Sequence, residues 1–372
     1  MPKSGQASSC DTPLAVSLVR PAELDAACLA RWEELRTGNP LYRSPFFAPE
    51  FTLAVGQVRA DARVAIVERG GVIVGFLPFH LVRNKIAKPI GAQINDYHGA
   101  ILGAGLNLGN RELLLACGIH AYDFNHLPMA LASGIGGVEA VESSPQMELS
   151  AGYDAATAGM GGSWKRGSSD MRRKLRKMER EVGQLHFVFD DRSNAMAKAH
   201  AEMRTVLYRE MRLNSVFGEG WEGDVIDLLR AGTGSGLSSV TSVLTADGEP
   251  VAMHFGLISR GVLHWWFPAY ALRANRYSPG LGLIDYCARE ANDHAVTLID
   301  FGRGEERYKR LFANRRVALG SGSATCGGSS AAIVRGMKRA ALKPIEHILP
   351  KAIRSYPRRI SDKLITGVAI PR

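Results

Sequence analysis

The most restrictive feature of the sequence is a run of three strand-like segments joined by two tight turns. The segments LSSVTSVLTA, VAMHFGLIS and VLHWWFPAY are rich in β-branched and aromatic residues, and Asp247-Gly248 and Arg260-Gly261 separate them. This pattern predicts an antiparallel meander. A glycine-containing loop, ALRANRYSPG, and a helix from Leu281 to about Asp293 follow. A meander that passes through such a loop into a helix is typical of an α+β fold.

The segments around the meander extend this arrangement. Before it, LHFVFD alternates like a strand, and helices are predicted from about Ser193 to Leu213 and from about Trp221 to Arg230. After it come the strand VTLIDF, a short helix in EERYKRLFAN and the strand RVALGSG. The predicted order from about Leu185 is therefore β-α-α-β-β-β-loop-α-β-α-β.

Three other segments complete the secondary-structure prediction. RVAIVE and VIVGFLPFHLV, joined at residues 69–71, predict a β-hairpin. The stretch 130–162, rich in Gly, Ala and Ser, is interpreted as a linker. A helix is predicted with Ser168 or Ser169 as its N-cap and an apolar stripe after it, ending before Gly183. The stripe consists of Met171, Leu175, Met178 and Val182.

The positive charge of the chain is concentrated in two short segments. The formal net charge is +10, but residues 331–372 contribute +8 and residues 164–182 contribute +5, which leaves −3 for the remainder. The chain is therefore a slightly acidic body that carries one basic helix and one basic tail. The near-average composition, 46% apolar and 22% charged, excludes a disordered or fibrous protein.

The sequence also bears on compartment and metal binding. It contains no run of about 18 apolar residues, and its start lacks the apolar core of a signal peptide. Its five cysteines are too widely spaced for a disulfide framework or a zinc ligand set. We therefore expect a cytoplasmic protein without a metal. The cysteines are Cys10, Cys28, Cys117, Cys287 and Cys326.

Three motifs resemble a known family. They are the basic segment WKRGSSDMRRKLRKMEREVGQLHFVF, the run Tyr277-Ser278-Pro279-Gly280 before LGLIDYCAREA, and DFGRGEERYKRLFA at 300–313. Together with the element order, they resemble the GNAT (acyl-CoA N-acyltransferase) enzymes associated with bacterial cellulose and exopolysaccharide biosynthesis (CelD-like). These enzymes are distant relatives of the FemAB aminoacyl transferases. The resemblance is good over 160–322 and weaker over 14–130.

The resemblance implies an α+β fold of tandem GNAT-like units, with a central mixed sheet flanked by helices. The expected boundaries are 14–160 for a degenerate first unit, 161–325 for the acyltransferase unit and 326–372 for a basic, helical tail. The implied function is transfer of an acyl group, acetyl in our interpretation, from coenzyme A to an amine or hydroxyl of a sugar or lipid-linked glycan precursor. Acetyl-CoA is the expected donor.

A glycine-rich turn that opens a helix presents free N–H groups to an anion. In GNAT enzymes the matching turn holds the pyrophosphate of coenzyme A, which implies this role for Arg276, Ser278, Gly280 and Gly282. The sequence has one residue more between the arginine and the first glycine than the family pattern. A turn that only caps the helix is the alternative.

The segment after VTLIDF is the densest candidate for catalysis. The resemblance implies that Tyr308 protonates the leaving thiolate, and we group Asp300 with it as catalytic and assign Arg303 and Lys309 to the acceptor. A salt-bridged surface cap is the other interpretation of this segment. His254, in the middle strand of the meander, is the predicted base, with a core histidine as the alternative.

Two substrate contacts and one partner complete the prediction. Trp266 is a candidate stacking surface for a sugar, although adjacent strand residues point to opposite faces. Arg172, Arg173 and Arg176 on the basic helix are predicted to attract an anionic acceptor, unless this is only a solvated face. The basic tail suggests peripheral contact with the inner face of a membrane.

Two other functions stay open at this stage. One is aminoacyl transfer from aminoacyl-tRNA, as in the FemAB relatives, and only in that case is nucleic acid an expected partner. The other is a non-catalytic GNAT-like scaffold that recruits a polysaccharide synthase.

Overall fold

The computed structural model describes residues 13–326 except 83–84, 105, 107–109, 133–136, 211–219 and 233. The prediction of a basic, helical tail therefore lies outside the described residues. The first half of the described chain contains seven strands and four α-helices. In chain order they are β1 (Leu14–Val19), α1 (Ala26–Thr37), α2 (Pro49–Val58), β2 (Ala62–Arg69), β3 (Val72–Val82), β4 (Ile86–Pro89), β5 (Ile101–Leu102), α3 (Asn110–Ala116), β6 (Ala121–Pro128), β7 (Val138–Glu148) and α4 (Tyr153–Ala158).

The described second half follows the predicted order of elements after one long helix. Its three meander strands are connected through Asp247-Gly248 and Arg260-Gly261, which all adopt positive φ. The elements are α5 (Gly162–Glu181), β8 (Leu185–Val188), α6 (Asn194–Glu210), α7 (Trp221–Ala231), β9 (Ser238–Ala246), β10 (Glu249–Ser259), β11 (Val262–Tyr270), α8 (Pro279–Glu290), β12 (Leu298–Asp300), α9 (Arg307–Phe312) and β13 (Arg315–Thr325).

The described strands form one mixed sheet with a repeated pattern. Its order is β1-β2-β3-β4-β6-β13-β7-β12-β11-β10-β9-β8, and β5 pairs with β3 beside this path. The pairs β4–β6 and β11–β12 are parallel, and the other pairs are antiparallel. Thus β1–β4 and β6 in the first half correspond in order and direction to β8–β12 in the second.

The two halves exchange their last strands. β13 lies between β6 and β7, and β7 lies between β13 and β12. The sheet is therefore continuous across both halves, and its centre contains strands from each of them. The predicted fold class, α+β with tandem GNAT-like units and a mixed sheet flanked by helices, is confirmed. The predicted domain boundaries stay a prediction.

Apolar side chains pack on both faces of the second-half strands. One cluster, which contains Phe46, Phe51 and Trp266, joins α2 and α7 to the sheet. The other contains Trp265 and Phe312 and lies under α5, α8 and α9. Neighbouring tryptophans on β11 thus belong to different clusters, as strand alternation predicts.

The basic helix begins earlier than predicted. α5 starts at Gly162 after Gly161 as N-cap, so Ser168 is a buried residue inside the helix and not its cap. Trp164 extends the apolar stripe by two turns, which explains why the helix does not begin at the serines. Val182, predicted as part of the stripe, follows the helix and is 39% exposed.

The interpretation of 130–162 as a linker is wrong. The stretch includes β7, which lies at the centre of the sheet and pairs with both β13 and β12. Its sequence, VEAVESSPQME, contains three glutamates and a proline, so it lacks the apolar alternation of a central strand. Polar residues on this strand have buried partners, as described below.

Candidate active site

The N-terminus of α8 has the chemistry of an anion site. Ser278, its N-cap, has left-handed backbone angles (φ 54°, ψ 50°), and its side chain makes no capping hydrogen bond. In the first turn Pro279 has no N–H and the Leu281 N–H donates to Ser278 O at 3.0 Å, while the Gly280 N–H lies at the positive end of the helix dipole. Lys174 of α5 adds a cation, because its Nζ lies 3.3 Å from Ser278 Oγ. An anion placed here would meet the Gly280 N–H and Lys174, whose Nζ also lies 3.0 Å from Asp170 Oδ2.

The two glycines of this helix differ in their surroundings. A Cβ on Gly280 would have only Tyr270 Cδ1 within 4 Å, at 3.9 Å, so open space lies beside its backbone. A Cβ on Gly282 would lie 2.6 Å from Leu175 Cδ2. Gly280 therefore leaves room for a ligand, whereas Gly282 allows α5 and α8 to pack closely.

Arg276 lies before this turn and faces α5. Its side chain is 70% exposed and approaches Glu181, at 3.7 Å between Nη2 and Oε2. Its guanidinium also donates to Tyr277 Oη, which in turn donates to Glu181. The extra residue noted in the sequence thus coincides with an arginine that pairs with a carboxylate.

A row of polar side chains crosses the centre of the sheet. Gln146 of β7, Asp300 of β12 and His264 of β11 are register partners. Asp300 is 1% exposed and accepts hydrogen bonds from Ser144 Oγ (2.7 Å), Gln146 Nε2 (2.6 Å) and Gly302 N–H (2.8 Å). These donors stabilise a buried carboxylate. Two of them come from β7, so the polar residues of that strand bind the end of β12.

The parallel pairing of β11 with β12 ends at this row. The last register pair is His264 with Asp300, while β11 continues to Tyr270. Beyond the last pair, α6 covers this edge: His200 Nε2 lies 2.8 Å from Phe267 O, and Arg204 donates to Pro268 O at 3.1 Å. The two strands therefore separate beyond His264 and Asp300.

Tyr308 lies on α9, below the end of β12. Its half-buried ring contacts Phe301 edge-on, with 6.4 Å between ring centres. Burial raises the pKa of Tyr308, and the charge of Glu306 and the neighbouring Tyr208 raise it further. The phenol consequently keeps its proton at neutral pH, as an acid requires.

Arg303 and Lys309 bind the protein itself. Lys309 is 6% exposed, donates to Arg303 O at 2.7 Å and lies 3.0 Å from Glu306. Arg303 donates to Asn125 O at 3.0 Å and pairs with Glu142 at 3.0 Å. Both cations therefore hold the loop after β12, and their contact with an acceptor stays a prediction.

His254 does not reach a groove. It is fully buried and stacks on Trp265, with 3.7 Å between ring centres and 4° between ring planes. Its Nε2 accepts the Trp266 N–H at 3.2 Å, and burial lowers its pKa well below the usual range. An imidazole enclosed in this way has no path to an acceptor, and it matches the core-histidine alternative.

Trp266 also lies in the core. It is 8% exposed, and its ring contacts those of Phe46, Phe51, Phe255 and Phe267. These neighbours leave no free face on which a sugar could stack. Because its ring is buried, the structure contradicts the prediction that Trp266 stacks on a sugar.

The three arginines of α5 that were predicted to attract an acceptor are exposed, in keeping with either interpretation of the basic helix. Arg173 pairs with Asp170 at 2.5 Å, and Arg172 donates to Ser168 Oγ at 3.3 Å. Arg176 is exposed as well. Their role toward an acceptor stays a prediction.

Sequence reasoning missed Asp96, which lies between β4 and β5. Its Oδ2 is 2.8 Å from His264 Nε2, and its Oδ1 is 3.6 Å from His126 Nε2. Burial acts to raise the pKa of Asp96, but the hydrogen bond from His264 and the nearby positive charges lower it to about 2. The available signal was the polar run Asn95-Asp96-Tyr97-His98 in a loop.

A scan against protein-family models matches residues 165–310 to the acetyltransferase (GNAT) domain. The matched region contains α8 with its anion site, β11, β12 and Tyr308. Residues 165–310 are therefore a GNAT acetyltransferase domain. The predicted enzyme class, a GNAT-type acyltransferase, is thereby confirmed.

Solved structures with folds similar to that of this chain include the following three. FemX is similar at a TM-score of 0.57 and 10% identity, over 83% of this chain and 97% of that one. The L-PGS of Bacillus licheniformis has a TM-score of 0.48 and 14% identity, over 85% and 96% of the two chains. A tandem GNAT protein from the clavulanic acid biosynthesis pathway has a TM-score of 0.47 and 12% identity, over 85% and 100%. No curated protein matches the chain.

GNAT domains use acyl-CoA, and the anion site at α8 fits the diphosphate of such a donor. Within the described ranges, no group of three or more His, Cys, Asp or Glu side chains is arranged to hold a metal ion. The helices of those ranges are also too short or too polar to span a bilayer.

Proposed function

We propose that the chain transfers an acetyl group from acetyl-CoA to an amine or hydroxyl of a sugar or lipid-linked glycan precursor in cell-envelope or exopolysaccharide biosynthesis. The type of reaction follows from the enzyme class, a GNAT-type acyltransferase. The CelD-like motifs quoted above support the choice of acceptor, and the choice of acetyl follows from the family.

The observation that carries the proposal is the contrast within α8. Gly280 is open to solvent beside an uncapped helix end and Lys174, whereas Gly282, two residues on, is closed by Leu175. A glycine needed only for packing would look like Gly282. The open space beside Gly280 is explained by a ligand that approaches the backbone closely. Lys174 and the positive end of the helix dipole favour an anion such as a diphosphate in that space.

The proposed roles of the residues follow from this placement. Ser278, Gly280 and Lys174 would hold the diphosphate, and Arg276 would flank it. Acetyl-CoA supplies an activated thioester. Tyr308, whose pKa is raised chiefly by burial, gives its proton to the leaving sulfur. Asp300 fixes the end of β12 through its three hydrogen bonds and so holds the sheet open at His264.

Calorimetric titration of the full-length protein with acetyl-CoA tests this function. We expect the wild type to bind and Gly280→Glu to lose measurable binding, because the carboxylate would occupy the space meant for an anion. A glutamate in the first turn is compatible with the helix dipole, so the variant should keep its stability. Gly280→Ala is the matched control, since its methyl group fits the open space and binding should persist.

Wild-type protein that does not bind acetyl-CoA would refute the proposal. If charged aminoacyl-tRNA, and not acetyl-CoA, raised the thermal unfolding temperature, the FemAB-type alternative would replace it. Binding of neither donor would favour a non-catalytic scaffold.

We also propose that the basic segment at 331–372 places the enzyme at the inner face of a membrane. Its net charge of +8 supports this, since each basic residue contributes about 1 kcal/mol near an anionic surface. Co-sedimentation with vesicles of phosphatidylcholine containing phosphatidylglycerol should be lost when residues 331–372 are removed. Unchanged sedimentation of the shortened chain would contradict this part of the proposal.

A further inference from the structure

The first half fills its own sheet opening. β4 and β6 pair in parallel over only two register pairs, in the position that β11 and β12 occupy in the second half. In the first half, His98 lies beside β6. Its ring Nε2 accepts hydrogen bonds from the backbone N–H groups of Asn125 (3.2 Å) and His126 (3.1 Å), and its backbone N–H donates to His126 O (3.3 Å). The backbone of β6 that an opening would expose is therefore already bonded.

The same segment is fixed at its start. Asn95 is fully buried, donates from Nδ2 to Ile90 O at 2.8 Å and accepts the Tyr97 N–H at 2.8 Å. Residues 95–98 are thus held at both ends by buried hydrogen bonds. Asp96 lies between them, so its position is set by the first half.

Asp96 points at the second half. Its Oδ2 is 2.8 Å from His264 Nε2, at the last register pair before β11 and β12 separate. A Cβ on Gly302, which has a φ of +71°, would come within 3.2 Å of the same oxygen. The glycine after β12 therefore lets this carboxylate approach the opening.

One oxygen of Asp96 is available to a ligand. The side chain is 25% exposed, whereas that of His264 is fully buried and that of Asp300 is 2% exposed. Within the described part of the chain, Oδ1 has no donor in hydrogen-bond distance; His126 Nε2 is at 3.6 Å, and burial lowers the pKa of His126 to about 4. At 3.6 Å that imidazole makes no hydrogen bond to the oxygen.

Asp96 also lies near the proposed acid. Its negative charge contributes to the raised pKa of Tyr308, after burial and the effects of Glu306 and Tyr208. The carboxylate of the first half and the phenol of the second therefore interact electrostatically. A base on one side and an acid on the other is what acyl transfer from a thioester requires.

We propose that Asp96, supplied by the first half, is a catalytic residue of the acetyltransferase domain, whose free Oδ1 binds the acceptor's nucleophilic N–H or O–H and takes its proton late, once the bond to the acyl carbon has formed and made that proton strongly acidic. This inference rests on the proposed function and names the acceptor contact. In the step, a bond forms between the acceptor N or O and the acyl carbon, and the C–S bond breaks. The electron pair leaves on sulfur, which takes the proton of Tyr308, and exchange with solvent restores both residues.

The test is CoA formation by the full-length protein with saturating acetyl-CoA and glucosamine as the probe acceptor, followed by chromatography. Asp96→Asn should lower kcat/KM for glucosamine by at least about 100-fold, the size expected for loss of a positioned proton acceptor. Its calorimetric affinity for acetyl-CoA should stay within about twofold of wild type. Formate should restore part of the rate to Asp96→Ala, which a purely structural role would not allow.

Asp61→Asn is the matched control. Asp61 also comes from the first half, pairs with a buried histidine (His80, 3.1 Å) and has a side chain 27% exposed, but its second partner is Arg59 instead of His264. We expect its kcat/KM to equal that of the wild type. If the wild type and Asp96→Asn form CoA at the same rate, the inference is overturned. This holds also where that rate is no higher than the rate without enzyme. Failure of the wild type to bind acetyl-CoA would instead overturn the proposed function.

Discussion

Gly282 provides the sharpest test of the packing around the anion site. Replacement of glycine by alanine in a helix gains roughly 0.5–1 kcal/mol, and forcing an extra carbon into a filled site costs about 1–3 kcal/mol. The clash with Leu175 at 2.6 Å applies to Gly282→Ala and not to Gly280→Ala. The two variants should therefore differ in free energy of unfolding by about 1–3 kcal/mol, with Gly282→Ala the less stable.

Urea unfolding followed by circular dichroism measures this difference. Leu175→Ala removes the atoms that the new methyl group would meet, so Gly282→Ala should cost nothing in that background. The double-mutant cycle should give a coupling of similar size, about 1–3 kcal/mol. Equal stability of the two glycine variants, or the same penalty with and without Leu175, would refute the reasoning.

Three further predictions follow from the site. Burial lowers the pKa of His200 from 6.5 to about 3. Between these two pH values the unfolded chain binds a proton at His200 that the folded chain does not bind. The free energy of unfolding should therefore fall by up to about 1.4 kcal/mol per pH unit as the pH drops from 6.5 toward 3. His200→Gln should flatten this slope in urea titrations, whereas replacement of the exposed His186 should not. Tyr308→Phe should lower kcat about 100-fold or more without changing the calorimetric Kd for acetyl-CoA; an unchanged kcat would remove the acid role. Lys174→Ala should weaken that Kd about tenfold, a loss of about 1.4 kcal/mol, and the neighbouring Arg173→Ala should leave it unchanged; equal effects would indicate that the whole helix acts as a diffuse charge.

The elements of the second half follow from its sequence because their signals are local. The two turns at Asp247-Gly248 and Arg260-Gly261 fix the meander, and glycine or an adjacent turn residue provides the positive φ that each requires. The apolar stripe of α5 predicts its buried face through Leu175 and Met178. Residues a few positions apart determine each of these features.

The parts that were missed depend on distant partners. The polar residues of β7 are suited to a central strand only because Gln146 and Ser144 bind Asp300, more than 150 residues away. Asp96 meets His264 across 168 residues, so no local pattern could reveal it. His254 and His264 both lie in the middle of a predicted strand. The sequence alone could not show that His264, which pairs with Asp96, borders the opening between β11 and β12.

Hydrogen–deuterium exchange with and without acetyl-CoA tests the central claim most directly. The account predicts that acetyl-CoA protects the amides of residues 280–283 at the start of α8, while the segment 95–98 in the first half, already hydrogen-bonded, changes little. Protection confined to the first half, or no protection at α8 despite binding, would contradict the account.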